Sequence, residues 1–320
     1  MTGRIEMSTG LEKRPAGTPV PHHTRRAGKK PKTVREEVGF FSTLAHISLA
    51  VWALVVIAPL LWTVLAAFKS NTEIFIGSPF ALPESFGFDA FRRAWTDANI
   101  GRYFLNSVLV VSLSTAGTML FGSMAAYVLA RYRFFGNRFI YYMFVSGLAF
   151  PVFLALVPLF LIVRNIGQSI PFLGLNTYGG LIMVYIAYSL PFTVFFLTAF
   201  FKTLPTSVAE AAMIDGASHT RTFFSVMLPM AKPGLVSITI FNIIGQWNQY
   251  ILPVTLMQGD GGDSKYLLTQ GIARISVAAG YEADWAALFA ALTLSILPMI
   301  IVYAFFQRQI QAGLTAGAVK

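Results

Sequence analysis

Six stretches of the chain stay apolar for long enough to cross a bilayer, and the polar residues are confined to what lies between them. The runs fall near 43–68, 105–130, 139–163, 177–201, 234–256 and 285–306. A helix needs about 20 such residues to span the hydrocarbon core, so the pattern predicts an all-α, polytopic membrane protein with six transmembrane helices. Pro59, Pro151, Pro158, Pro191, Pro253 and Pro298 fall inside these runs. Proline would break a soluble helix, but neighbouring helices in a bundle can satisfy the freed carbonyl, so kinked spans are expected.

The fourth and fifth runs are separated by about 32 residues, 202–233, far longer than the few residues of an ordinary connection. Pro205 stops the span before this insert. Ser207 and Glu210 have the spacing of a capping box, in which the hydroxyl takes the Glu210 amide and the carboxylate reaches back to the Ser207 amide. Ala209, Ala211 and Ala212 favour a helix of about nine residues, roughly 13 Å long. Gly216 can supply a left-handed C-terminal turn, and Ser218 can cap a second short helix ending near Leu228–Pro229. The small side chains of the first helix would let another protein approach closely.

Composition places the chain in a membrane: 12% of its residues are charged, about half the share of a soluble domain. There is no cysteine, hence no disulfide framework and no thiolate metal site. The net charge of +10 is uneven, with nine of the 24 basic residues in the first 42 positions. Residues 1–42 read as a disordered basic cytoplasmic tail rather than a cleavable signal or a DNA-binding arm, and 43–320 as one six-helix transmembrane domain. With six spans both termini share a side. That side collects 17 Lys and Arg against seven on the other, which predicts a multi-pass membrane protein with cytoplasmic N- and C-termini.

Several chemistries are missing. All 14 acidic residues fall outside the apolar runs, which disfavours the rival reading of an ion-coupled secondary transporter. His46, near the start of the first run, reads as interfacial. No G-x-x-x-x-G-K-[ST] phosphate loop occurs, and no cluster suggests a nucleophile with its base or a metal with its ligands, so an enzyme or scaffold is also disfavoured. The chain reads as a conduit powered by a partner.

The insert carries "EAAMIDGAS" followed by "LP", which resembles the EAA signature of ABC importer membrane subunits. "FLNSVLVVSLST", "AAYVLARYRF", "GQWNQYILPV" and the terminal "GLTAGAVK" are similar to the carbohydrate-importer branch, in particular the second permease of maltose-type systems. The resemblance covers 43–320. It implies a type I ABC importer permease fold and a coupling loop at about 202–233. Glu210, Ala211, Ala212, Asp215 and Gly216 would be the ATPase-coupling positions. It further implies a second homologous permease, two ATPase subunits that carry the ATP hydrolysis, an extracytoplasmic solute-binding protein and a sugar substrate, with no cofactor of its own.

In the fifth run Asn242, Gln246 and Gln249 sit at i, i+4 and i+7, one stripe of a helix. Uncharged amides suit a hydroxyl-rich sugar path, and equally they fasten membrane helices to one another. Trp247, Asn248 and Tyr250 lie off the stripe. The stretch "MQGDGGDSKYLL" reads as a flexible outer turn or, by the resemblance, a loop reaching the binding protein. The C-terminal "LTAGAVK" reads as a frayed end or, by the resemblance, as an ATPase contact.

Overall fold

The computed structural model describes residues 40–78, 80–258, 262–282 and 284–316, all helix or connection with no strand among them. The expected tail lies almost wholly outside these residues, as do 317–320 of the C-terminal stretch. The helices are α1 (Phe40–Ala66), α2 (Asn71–Phe75), α3 (Asp89–Arg92), α4 (Ile100–Arg131), α5 (Asn137–Ala149), α6 (Val152–Ser169) and α7 (Tyr178–Thr203). They continue with α8 (Thr206–Ile214), α9 (His219–Arg221), α10 (Leu228–Met230), α11 (Lys232–Trp247), α12 (Ile251–Leu256), α13 (Leu268–Glu282) and α14 (Trp285–Ala316).

By packing, the chain divides into residues 1–55 and 56–320. In the first unit the described residues form the opening of α1, where His46 Nδ1 lies 2.6 Å from the Ser42 carbonyl one turn back. Every residue from Thr43 to Leu61 is exposed. A helix that is apolar and exposed on all sides is suited to lipid.

Among the described residues five helices are long and apolar enough to cross a membrane, and a sixth candidate is the pair 219–230 and 232–247, bent by 78°. Two expected spans are corrected. The run at 139–163 is broken into α5 and α6, because Pro151 has no amide to continue α5 and holds Phe150 extended at φ −80°, ψ 121°. The run at 234–256 is broken between Trp247 and Ile251. Here Pro253 cannot donate to the carbonyl of Gln249, which instead accepts from Thr269 Oγ1 at 2.9 Å. Pro59, Pro158, Pro191 and Pro298, in contrast, lie inside continuous helices.

The centre of the second unit is the pair α4 and α7. Gly117 faces Ile186, Gly122 faces Thr193 and Tyr127 faces Phe201, so the two helices run in the same direction. Small residues bring them close where lipid supplies no hydrophobic drive. A Cβ on Gly122 would stand 2.6 Å from Thr193 Cγ2. The helix α11 runs the opposite way, and α14 reverses again along it: Trp247 Nε1 donates to the Ser295 carbonyl at 3.2 Å and Ser237 Oγ to that of Gln309 at 3.0 Å.

The connections between spans are themselves structured. In α13, absent from the sequence reading, Leu268, Gly271, Ile275 and Ala279 form a buried stripe at i, i+3, i+7 and i+11. The stretch at 262–268 is anchored rather than free: Asn106 Nδ2 donates to the carbonyls of Ser264 (3.0 Å) and Tyr266 (2.9 Å). Residues 259–261 lie outside the description.

A capping box does exist, at Ser70 and Glu73. Ser70 Oγ accepts the Glu73 amide at 3.2 Å, and Glu73 Oε2 accepts the Ser70 amide at 2.6 Å. Its second oxygen takes the Glu84 amide, and the hydrogen bonds from Glu84 and then Ser70 hold the carboxyl down at about 2. Arg93 grips Asp284 through two nitrogens (2.9 and 3.1 Å), which lowers the Asp284 carboxyl below its usual range. A carboxyl so depressed adds stability above its unfolded value that is lost as pH falls through the folded value. Both side chains are about a third exposed, so solvent screening keeps this contribution small.

Gly122→Val is expected to separate α4 from α7, because Thr193 is β-branched and cannot rotate aside. Overpacking of this kind costs about 1–3 kcal/mol. The check is the unfolding midpoint in detergent, which should fall by several degrees, whereas Gly280→Ala, inside α13 and with nothing within 4 Å of the added carbon, should not lower it and should raise it slightly.

Candidate functional site

The insert between α7 and α11 folds as two short helical pieces on a common seat. Pro205 ends α7 and, at φ −60° and ψ 131°, occupies the N-cap of α8. The helix therefore starts at Thr206, and Ser207 lies inside it. This overturns the expected Ser207–Glu210 capping box: no side chain caps α8, because the position preceding it is a proline without a side-chain acceptor. Glu210 is exposed and has no partner among the described residues.

The far end of α8 closes as expected. Gly216 is left-handed at φ +83°. Its amide donates to the Met213 carbonyl at 3.1 Å and that of Ala217 to Ala212 at 2.9 Å, the paired bonds of a Schellman turn. Ser218 Oγ then accepts the Arg221 amide at 3.3 Å and opens the second piece. That piece passes through a π-helical turn, Thr222–Met227, in which Leu228 donates to Phe223 five residues back. The wider turn absorbs the missing amide of Pro229, so Leu228–Pro229 lies within the helical segment, which ends at Met230 rather than at the proline.

Aromatic side chains hold the seat. Tyr127 of α4 packs its ring 5.0 Å from Phe223 and 5.6 Å from Phe201 of α7. Ala209 and Met227 are buried in the same cluster. Tyr132 OH lies 2.9 Å from His219 Nδ1, and Arg131 Nη2 donates to the Leu204 carbonyl at 2.7 Å. The inner face of α8 is Val208, Ala209 and Ala212. The outer face is Ser207, Glu210, Ala211 and Ile214, at i, i+3, i+4 and i+7, all exposed. Ile214 is 86% exposed. Of the five residues singled out from the sequence, Glu210, Ala211, Asp215 and Gly216 are exposed and Ala212 is half-buried against the seat. Sequence reasoning missed Ile214, whose signal is an isoleucine one turn after Glu210 on a short polar helix.

The amide stripe is divided. Asn242 Nδ2 donates to Thr193 Oγ1 at 2.9 Å. Gln246 Oε1 accepts from Ser114 Oγ (2.6 Å) and Thr115 Oγ1 (3.0 Å), and its Nε2 donates to Ser189 Oγ at 2.9 Å. Both side chains are buried. Gln249 lies beyond the end of α11, half-buried, and its side chain has no partner among the described residues.

Residues 118–315 match the family described as "Binding-protein-dependent transport system inner membrane component". The chain is 49% identical over 280 residues to the diacetylchitobiose uptake system permease protein NgcG of Streptomyces coelicolor, covering 88% of this chain and 89% of that protein. It is 31% identical to the trehalose/maltose transport system permease protein MalG of Thermococcus litoralis, covering 90% and 99% of the two chains. A crystal structure of a bacterial ABC transporter involved in the import of the acidic polysaccharide alginate superposes with a TM-score of 0.72 at 23% identity, over 84% of this chain and 95% of that one. The fold is thus the type I ABC importer permease fold expected from the sequence, and the ion-coupled alternative finds no support. The chain belongs to the family of binding-protein-dependent transport system inner membrane components, as a non-enzymatic permease subunit of an ABC importer.

Proposed function

We propose that this permease imports a sugar or oligosaccharide and that α8 is the helix through which a separate ATPase moves it. The observation that carries the coupling reading is the geometry of α8: an inner face locked into the Tyr127–Phe223 seat and an outer face of Glu210, Ala211 and Ile214 that is exposed among the described residues. A free carboxylate beside a bare isoleucine gives a partner one charge-assisted contact and one apolar anchor. The sugar reading is supported by relatives named for diacetylchitobiose and for trehalose and maltose uptake. A second permease, two ATPase subunits and an extracytoplasmic binding protein complete the importer, with α8 and both termini on the cytoplasmic side.

On this reading Asn242 and Gln246 fasten the bundle, because their polar atoms are taken by α4 and α7. Gln249, with an unspent amide beside a helix break, is the better candidate for the sugar path. Gln246→Ala should lower the unfolding midpoint, since it leaves the hydroxyls of Thr115 and Ser189 without their partner, at about 1–3 kcal/mol for each buried unsatisfied group, while Ser114 keeps the Val110 carbonyl. Gln249→Ala should leave that midpoint unchanged and alter sugar uptake. The reverse assignment of the two phenotypes refutes the division.

Orientation is read by single cysteines, since the chain has none of its own. Cysteines placed at Ser78 and at Thr220, both exposed, should react with an impermeant reagent from opposite faces of the membrane. Reaction of both in sealed cells rules out the topology.

The coupling reading is tested by Gly216→Val and Glu210→Ala. Valine at φ +83° costs about 1–2 kcal/mol and distorts the turn leaving α8. Glu210 caps nothing, so Glu210→Ala should change stability by less than about 0.5 kcal/mol. Both should reduce sugar uptake and the ATPase that co-purifies in detergent. Normal uptake with a normal complement of ATPase in both variants leaves α8 as a connector.

A further inference from the structure

We propose that the turn joining α4 to α5 forms a binding site for the phosphate headgroup of an anionic phospholipid. A cavity of about 720 Å³ opens there, lined by Arg133, Arg138 and Lys202 with Tyr132, Phe134 and Phe139, and by no carboxylate. Among the described residues the three cations form no ion pair. Arg131, beside them, is already spent on the Leu204 carbonyl and is not counted.

The cavity is built rather than incidental. Asn137 Nδ2 donates to the carbonyls of Leu129 (3.3 Å) and Tyr132 (2.8 Å), which fixes the turn. Gly136, at φ +85°, faces open space: a Cβ there would meet nothing within 4 Å. Lys202, in the last turn of α7, holds its ammonium 5.4 Å from the centre of the Tyr141 ring, so α5 positions it at the rim.

What favours a lipid over a soluble phosphate or a protein is the surface that leads away from the cavity. Phe139, Tyr142, Met143 and Ser146 follow along α5 at i, i+3, i+4 and i+7, all exposed, and α5 has no buried residue. The headgroup would sit among the cations and the acyl chains along this stripe. Phe134 and Phe135, both exposed on the turn, suit the boundary between headgroups and hydrocarbon. Basic pockets between membrane helices at this level recognise phosphate esters, each cation contributing about a fivefold gain in affinity. The proposal rests on the membrane location of the family and is independent of the docking of α8.

The test uses the chain purified in mild detergent with its co-purifying subunits, then exposed to vesicles of phosphatidylglycerol or of phosphatidylcholine. Native mass spectrometry should show phosphatidylglycerol retained in preference to phosphatidylcholine. R133Q/R138Q/K202Q should weaken that retention about a hundredfold, and R133K/R138K should preserve it. If the triple variant does not fold, the single variants decide, each expected to lose about fivefold with an unchanged unfolding midpoint. Equal retention of phosphatidylglycerol in the neutralised variants overturns the proposal. Displacement of the lipid by millimolar inorganic phosphate overturns it in favour of a soluble-ion site. Unchanged lipid retention with loss of the co-purifying subunits overturns it in favour of a protein-docking pocket.

Discussion

Gln246 cannot leave its amide unpaired among three apolar helices, and that constraint fixes how α4, α7 and α11 meet. Its oxygen takes two hydroxyls from α4 and its nitrogen takes one from α7. One turn away Asn242 repeats the bond to α7 through Thr193. A slip of α11 by a single residue would turn both amides away and strand buried hydroxyls, at about 1–3 kcal/mol for each group. Dispersion between smooth apolar helices sets no such register. Trp247 and Ser237 extend the arrangement to α14, so α11 is the strut on which the later part of the bundle is aligned.

At one end of the same helices, packing takes over from hydrogen bonding. Tyr127 lies at the end of α4 between Phe201 and Phe223, and the alanines of α8 are small enough to let that helix lie against the cluster. The polarity of the insert is therefore one-sided. Its inner face is as apolar as the bundle it rests on, and the face carrying Glu210 and Ile214 is exposed among the described residues. Under the proposed coupling, a displacement of α8 passes into α4 and α7 through these rings, because close-packed aromatic groups transmit strain rather than absorb it.

The spans were legible because a bilayer demands length and apolarity, which a sequence displays directly. The breaks were less so. Prolines were visible in six places, but only Pro151 and Pro253 lie at helix breaks, and nothing local in the sequence separates them from Pro59 or Pro191; at Pro253 the freed carbonyl of Gln249 finds Thr269, a partner distant in the sequence. The Ser207–Glu210 spacing satisfied the capping rule, yet Pro205 moved the helix start forward, whereas the same rule held at Ser70–Glu73, where nothing displaces the cap. Gly216 and Ser218 were read correctly, since φ > 0 and a capping hydroxyl are local requirements. The helix α13 was overlooked although its buried stripe has helical spacing, because glycines and charges beside it suggested a loop. The division of the amide stripe was out of reach: it depends on α11 ending at Trp247, one residue before Asn248 and two before Gln249.

The distribution of these breaks has a mechanical consequence. The helices α4 and α7 are unbroken over 32 and 26 residues and pack through glycine against threonine, and Pro191 removes one i to i−4 bond from α7 without interrupting it. The helices around them are interrupted, at Phe150–Pro151, at Asn248–Tyr250 and at the 78° elbow near Ala231. A backbone that has already left helical geometry, with its polar groups satisfied by side chains, changes direction at lower cost than one held by consecutive i to i−4 bonds. The aromatic seat joins α8 to the unbroken pair, and the amide knot joins that pair to the interrupted α11–α12. Motion delivered at α8 would therefore reach α4 and α7 as a rigid displacement and be converted into bending at the breaks, next to the unspent amide of Gln249.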